Sequence, residues 1–247
     1  MISIVVPVLN EVETIDKLLS HLAENSDPKN ISEIIIVDGG STDGTIEIVT
    51  NIVSGRAQSR PHKNLSTALE ETIILTSAAK GRAVQMNLGA SKATGDILYF
   101  LHADSLPPKK FDELIINEVA KGNLAGCFKM KFDNNHWWLR LASWLTHFSW
   151  RACRGGDQSQ YITKELFEEI GGFNEDFIIY EDNILINELF KRKEFVVIQE
   201  WIITSARLYE KKGIWTLQYH FWTIYIKRWF GASADDIYMY YKKYIAG

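Results

Sequence analysis

The 247-residue chain is 46% hydrophobic and 23% charged, an ordinary globular composition, and its length suits one large α/β domain or a domain with an appendage. A formal net charge of −4 argues against a general nucleic-acid binder, which carries a basic patch or a high pI. Cys127 and Cys153 form no CxxC pair, which disfavours a structural zinc site and points to a reducing compartment.

Ile2–Pro7 is a short β-branched run that stops at Pro7-Val-Leu-Asn10-Glu11. Thr14–Ala23 follows with Ile15, Leu18, Leu19 and Leu22 at helical spacing, and Asp27-Pro28 breaks it. Ile31–Val37 is too continuously apolar to be one-sided, so it belongs inside a parallel sheet. Asp38-Gly-Gly-Ser-Thr-Asp-Gly44 ends it with turn chemistry, and Thr45–Val53 restarts a helix. After a polar stretch (Ser54–Ser66, loop or helix extension), Thr72–Thr76 is a strand, Arg82–Ala93 a helix and Asp96–Leu101 a strand. This alternation specifies a doubly wound, mostly parallel sheet with right-handed crossovers.

Beyond about residue 105 the alternation is lost. Phe111–Lys121 reads as a helix, Cys127–Phe132 as a strand and Trp137–Ala152 as an aromatic, amphipathic helix. Gly155-Gly156-Asp157 is a loop, Thr163–Ile170 and Asp182–Lys193 are helices, and Phe195–Thr204 is a last strand. Ile214–Trp229 and Asp235–Tyr244 close the chain as helices. No apolar run reaches the ~18–20 residues of a spanning helix, and the first residues lack a basic leader region. A cytoplasmic protein is expected. The aromatic clusters Trp137–Trp150 and Trp215–Phe230 are expected to be core and helix-packing residues. Peripheral contact with the inner face of a membrane, suited to a lipid-linked acceptor, stands as the alternative for the second cluster.

Four polar clusters stand where apolar segments end: Asn10-Glu11, Asp38 to Asp43, His102 to Asp104, and Glu181-Asp182. Three follow strands expected to be neighbours in one sheet, so their tips would line a single crevice. A crevice edged by carboxylates holds a polyphosphate only through a cation or through basic residues from elsewhere. Mg²⁺ or Mn²⁺ suits the first route, with Asp104 as the leading ligand; Lys80, Arg82 and Arg207 are candidates for the second. Each cluster has a plainer reading. The Asp38 turn and the Glu181-Asp182 pair satisfy helix N-termini, and a strand-end histidine is commonly just hydrogen-bonded. Their joint occurrence favours a site. A phosphate-binding P-loop, GxGxxG after the first strand and GxSxG are all absent.

Together, Ser3-Ile-Val-Val-Pro-Val-Leu-Asn-Glu11, Val37-Asp-Gly-Gly-Ser-Thr-Asp-Gly-Thr45, Gly81-Arg-Ala-Val-Gln-Met-Asn-Leu-Gly-Ala90, Gly95-Asp-Ile-Leu-Tyr-Phe-Leu-His-Ala-Asp104 and Gly171-Gly-Phe-Asn-Glu with Tyr180-Glu-Asp182 resemble the family-2 glycosyltransferases of the GT-A fold. The His-Ala-Asp version, with Thr204-Ser-Ala-Arg207, is similar to a small bacterial subgroup associated with radical-SAM and seleno-domain proteins. The resemblance implies a GT-A-type (Rossmann-like) domain over residues 1–210 and an aromatic-rich helical extension over 211–247. It also implies inverting transfer from a nucleoside-diphosphate sugar to an unknown hydroxyl acceptor. Pro7, Asn10 and Glu11 would line the base and ribose pocket and Asp38 the base edge, with Gly40, Arg82, His102 and Arg207 as further nucleotide-sugar contacts. Asp104 would meet the metal, Asp182 beside Glu181 would be the catalytic base, and Gly156 and Asp157 would face the acceptor. Two positions depart from the pattern: His102 stands where the family more often has Asp, and Gly39 replaces the second Asp of a common Asp-Asp-Gly-Ser turn. A nucleotidyltransferase would want a Gly-rich loop after the first strand, which is missing. A catalytically silent nucleotide-sugar sensor is the remaining alternative, favoured by His102 and opposed by the retained Glu181-Asp182 pair.

Overall fold

Strands β1 (Ile2–Val8), β2 (Ile31–Asp38), β3 (Ile73–Ser77) and β4 (Ile97–Phe100) pair in parallel in the order β3-β2-β1-β4. The protein is seen in a computed structural model that describes residues 1–54, 72–79, 81–155 and 158–246. Alternation along β1 explains why the run is apolar throughout. Ile2, Ile4, Val6 and Val8 pack with residues of helices α1 (Ile15–Asn25) and α2 (Thr45–Val53), whereas Val5 packs on the other face with α3 (Arg82–Lys92). α3 lies close to the sheet because Gly89 has no Cβ to run into Val5.

The chain proceeds from β1 outward to β2 and β3, then returns to β4 on the opposite side of β1. The strand order therefore reverses between β1 and β4, the place where open α/β sheets hold ligands. Pairing of β1 with β4 ends at Val5 opposite Phe100, while β1 continues beside β2 to Val8. Val5 directs its carbonyl to Leu101 on the β4 side; by alternation Pro7 faces the same side, past the end of β4, where a missing N–H breaks no ladder.

The second half of the sheet is mixed. β7 (Gln160–Thr163) runs antiparallel to β4, and β6 (Ala125–Phe132) antiparallel to β7. β8 (Phe195–Thr204) is parallel to β6, and the short β5 (Ser105–Leu106) closes the edge. The full order is β3-β2-β1-β4-β7-β6-β8-β5, the expected α/β architecture with flanking helices. These are α4 (Phe111–Ala120), α5 (Trp137–Leu145), α6 (Lys164–Ile170), α7 (Glu181–Arg192), α8 (Arg207–Lys212), α9 (Ile214–Trp229) and α10 (Ala234–Tyr244).

Several local expectations change. β7 covers Gln160–Ile162, to which no element was assigned, and Thr163, expected to start a helix; β5 and α8 were not anticipated. The aromatic helix expected to reach Ala152 stops at Leu145. There Thr146 Oγ1 donates to the Ser143 carbonyl and accepts from Met130 N–H, and the buried Arg154 guanidinium takes the Thr146 and Phe148 carbonyls at 2.6 and 2.7 Å. Those carbonyls are thereby withdrawn from helix continuation. The aromatic clusters are not core: Trp137, Trp144, Trp150, Trp215, Tyr219, Trp222, Trp229 and Phe230 are exposed, the last two at 85% and 84%. α9 presents apolar side chains on more faces than its neighbours cover. Most of the polar stretch after Ser54 lies outside the described residues.

Candidate active site

The tips of β1 and β2 are stapled to each other. Asn10, in the left-handed region at φ 57°, donates its N–H to Ser41 Oγ at 2.9 Å and accepts from Thr42 N–H at 2.9 Å. Asparagine tolerates that conformation better than most residues. Asp38 is buried, and its carboxylate accepts from the N–H groups of Gly40 and Ser41 at 2.9 to 3.2 Å. Its first task is thus to shape its own turn. Gly40 bends that turn at φ 96° with open space beside it. Asp43 accepts from Thr45 and Val12, which matches the plain helix-capping reading of that acid.

Gln85 lies in the Gly81–Ala90 segment, on α3. Its buried amide donates to the carbonyls of Val8 at 2.9 Å and Val37 at 2.7 Å, tying α3 to both strand ends. A Cβ on Gly39 would lie 3.0 to 3.1 Å from that amide. The glycine that departs from the Asp-Asp-Gly-Ser pattern is therefore matched to Gln85: the glutamine fills the space a larger residue would need. The sequence signal was a polar side chain on the apolar face of α3, among Ala83, Met86 and Ala90.

At the tip of β4, His102 and Asp104 lie in a tight turn in which Ser105 N–H donates to the His102 carbonyl. Asp104 is joined to the β8 end, its carbonyl accepting from Ser205 N–H. From α8, Arg207 reaches back across the crevice to Glu11 Oε1 at 2.5 Å and Asp104 Oδ2 at 3.5 Å. The hydrogen bond to Glu11 holds the guanidinium more firmly in its charged form, burial opposes this, and Asp104 adds to the hold. One cation thus spans the β1 and β4 tips.

Glu181 and Asp182 open α7. The preceding Tyr180 sits at φ 75°, a conformation costly for a bulky residue, and its ring meets Tyr225 of α9 edge-on with centroids 5.5 Å apart. Arg82, at the start of α3, lies 3.4 Å from Glu181 and 3.6 Å from Asp182. Asn87 of α3 bonds Phe173 N–H and carbonyl at 2.9 Å each and Glu175 at 2.8 Å, so α3 also holds the Gly171-Gly-Phe-Asn-Glu segment that leads to α7. Asp182 and His102 line one small cavity of about 10 Å³ with Met86, Phe100, Gly155 and Ser159, space for about one water.

The structure therefore brings Glu11, Asp104 and Arg207 together, and His102 with Asp182; Arg82 sits on the Glu181-Asp182 side. Gly156, Asp157 and Lys80 lie outside the described residues. Among the described residues no three His, Cys, Asp or Glu side chains cluster as a ready-made metal cage. Asp104 alone, partly exposed beside a cation, fits a different mode. Mg²⁺ commonly takes one or two carboxylates, with substrate phosphates and water completing its shell.

Residues 3–174 match the model of the family described as glycosyl transferase family 2. The chain is 31% identical over 119 residues to the glycosyltransferase AglE of Haloferax volcanii, covering 48% of this chain and 35% of that protein. It is 35% identical over 125 residues to an uncharacterized glycosyltransferase of Haemophilus influenzae, covering 50% and 44%. The matched segments thus span less than half the length of either relative. Among solved structures, S. aureus TarS 1-349 in complex with UDP superposes with a TM-score of 0.62 at 16% identity, covering 83% of this chain and 60% of that one. That likeness shows the GT-A-like fold, and the family match over most of the chain shows that the protein belongs to glycosyl transferase family 2.

Proposed function

We propose that this chain transfers a sugar from a nucleoside-diphosphate sugar to a hydroxyl acceptor with inversion at the anomeric carbon. The observation that carries this reading is the cavity shared by His102, at the tip of β4, and Asp182, at the head of α7. It sets the proposed base beside the strand end that carries Asp104. Family membership supports the reaction class, and the TarS relative solved with UDP supports a uridine or similar nucleotide donor.

In this reading Pro7, Asn10, Glu11 and Gly40 border the base and ribose. Asp38 fixes the turn and offers its remaining acceptor position to the base edge, and His102 faces the nucleotide. Asp104 would hold Mg²⁺ or Mn²⁺ together with the donor's diphosphate, and such a cation supplies charge stabilisation to the leaving group when bound. Arg207 adds a fixed positive charge from the protein. The Asp182 carboxylate takes the proton of the acceptor hydroxyl as that oxygen bonds to the anomeric carbon, the bond to the diphosphate breaks, and the nucleoside diphosphate departs. Arg82, 3.4 Å from Glu181 and 3.6 Å from Asp182, would hold the acidic pair in place, and Gly156 and Asp157 are the residues proposed for the acceptor side. Residues 1–210 form the donor-binding and catalytic domain, and 211–247 a helical extension. The His102-Ala-Asp104 version is in keeping with the radical-SAM and seleno-domain-associated subgroup, and the proposed site of action is the cytoplasm, at the membrane periphery.

The test is thermal stability against a panel of nucleoside-diphosphate sugars with Mn²⁺ or Mg²⁺. A cognate donor raises the melting temperature, Asp104→Ala abolishes the rise, and Asp182→Asn keeps it while losing transfer. Absence of stabilisation by every nucleoside diphosphate overturns the proposal. Slow donor hydrolysis that depends on Asp182 separates an enzyme from a silent sensor.

A further inference from the structure

α9 is apolar on two opposite faces. Leu217 and Ile224 are buried, and Phe221 is partly buried, against Phe177, Ile237 and Ile245. Trp215, Tyr219, Trp222, Ile226 and Trp229 recur at helical spacing on the other side and are exposed by 46% to 85%. A surface helix normally turns a polar face outward; here Trp215 and Trp222 touch Trp138 of α5 along one edge, and the rest of the stripe faces outward. It is continued by α5, where Trp137, Leu141 and Trp144 form a second outward stripe and Trp137 meets Trp215 at 5.7 Å between ring centroids. Six of the eight tryptophans in the chain are exposed.

Charge identifies the occupant. Residues 211–246 hold six Lys or Arg against two Asp, in a chain whose net charge is −4. Lys227, Lys242 and Lys243 are exposed. On the far side, Lys131 and Arg140 line a groove of about 280 Å³ beside Trp144 and Trp201. Trp and Tyr bordered by Lys and Arg is the composition of groups that settle at the headgroup level of a bilayer. Among the described residues no helix is long and apolar enough to cross a membrane.

We propose that α9, α10 and the outer face of α5 form a docking surface for an anionic phospholipid bilayer, with Trp229 and Phe230 as the inserting tip and the lysines on headgroup phosphates. The proposal rests on the peripheral location given above and adds the lipid class and the residues. It also sets the orientation: Tyr225 flanks the outer stripe and touches Tyr180, so the bilayer lies next to the residue that precedes Glu181 and Asp182. A lipid-borne hydroxyl or phosphate acceptor would then enter from the membrane plane.

The experiment is flotation of the full chain with phosphatidylglycerol/phosphatidylcholine vesicles and with phosphatidylcholine alone, with tryptophan emission recorded. The protein is expected to float with the anionic vesicles, with a blue shift, and to be released by salt. Lys242→Ala/Lys243→Ala weakens binding roughly ten- to thirtyfold, and Trp229→Ser/Phe230→Ser reduces both the flotation and the blue shift. Both variants keep the nucleotide-dependent thermal shift, which separates this proposal from the catalytic one. No flotation with anionic vesicles overturns it, as does undiminished flotation of the Trp229/Phe230 variant. A lipid-free dimer in sedimentation velocity that Trp229→Ser/Phe230→Ser dissociates overturns it in favour of a second copy.

Discussion

The guanidinium of Arg207 stands 3.5 Å from the carboxylate of Asp104, joining a helix laid down late in the chain to the strand tip expected to face the donor's diphosphate. The same guanidinium hydrogen-bonds Glu11, and charge-assisted hydrogen bonds of that kind are among the stronger polar ones. Arg207→Ala is expected to raise the Kd for a nucleoside diphosphate about ten- to hundredfold, with Arg207→Lys recovering part of the loss because a point charge lacks the planar fork. Isothermal titration calorimetry reads both.

Arg82 is half in water while Glu181 is 1% exposed, so the pair is asymmetric. Removing the cation leaves a buried carboxylate, and Arg82→Ala is expected to cost about 1–2 kcal/mol, less than a fully enclosed pair would. Adding Glu181→Gln recovers much of that loss. A double-mutant cycle by urea denaturation measures the coupling, and additivity of the two changes would exclude it.

Tyr225 is expected to act on catalysis without touching substrate. Its ring supports Tyr180 in the left-handed region, and Tyr180 sets the direction in which α7 begins. Tyr225→Ala is expected to lower kcat about tenfold, since small misplacements of a catalytic group are costly, with donor KM unchanged. Tyr225→Phe keeps the ring and is expected to retain most of the kcat. A matching rise in donor KM would place the residue elsewhere in the mechanism.

Gly39 and Gln85 are expected to be coupled. Gly39→Ala presses a Cβ to 3.0 Å from the glutamine amide and is expected to destabilise by about 1–3 kcal/mol, the range for overpacking. In a Gln85→Ala background, where that amide is gone, the same substitution is expected to cost little. Thermal or urea unfolding of the four proteins reads the difference.

Burial pushes the Cys127 thiol up to about 11, against the attraction of Arg154. The native thiol keeps its proton at alkaline pH, while the unfolded thiol loses it from about pH 9. The unfolded state then binds fewer protons, so stability falls as pH rises from about 9 to 11, by on the order of 2 kcal/mol. Below pH 9 this contribution is constant. Cys127→Ala is expected to lose stability less steeply across that window, and equal slopes would remove the assignment.

The parallel half of the fold was legible because each strand is an apolar run closed by turn chemistry, as at Val37-Asp38-Gly39. β7 was not, because Gln160-Tyr-Ile-Thr163 is four residues long and runs into α6 without a turn. The end of α5 depends on Arg154 reaching back to two carbonyls, a non-local cause that periodicity does not register. In the site, acids at strand and helix ends were visible from residue type alone. Gln85 and Tyr180 were not, because one is defined by two distant carbonyls and the other by a ring from α9.

The two-faced α9 also governs how the protein can be handled. Its outer stripe favours adhesion and precipitation, which invites shortening the chain before Ile214. Its inner stripe, however, packs over Phe177 and Tyr180 in one cluster with Leu217 and Ile224, so deletion would unroof the segment that delivers Asp182. Solubility is better sought by polar substitutions confined to Trp215, Tyr219, Trp222, Ile226 and Trp229, which spare the underside of the helix.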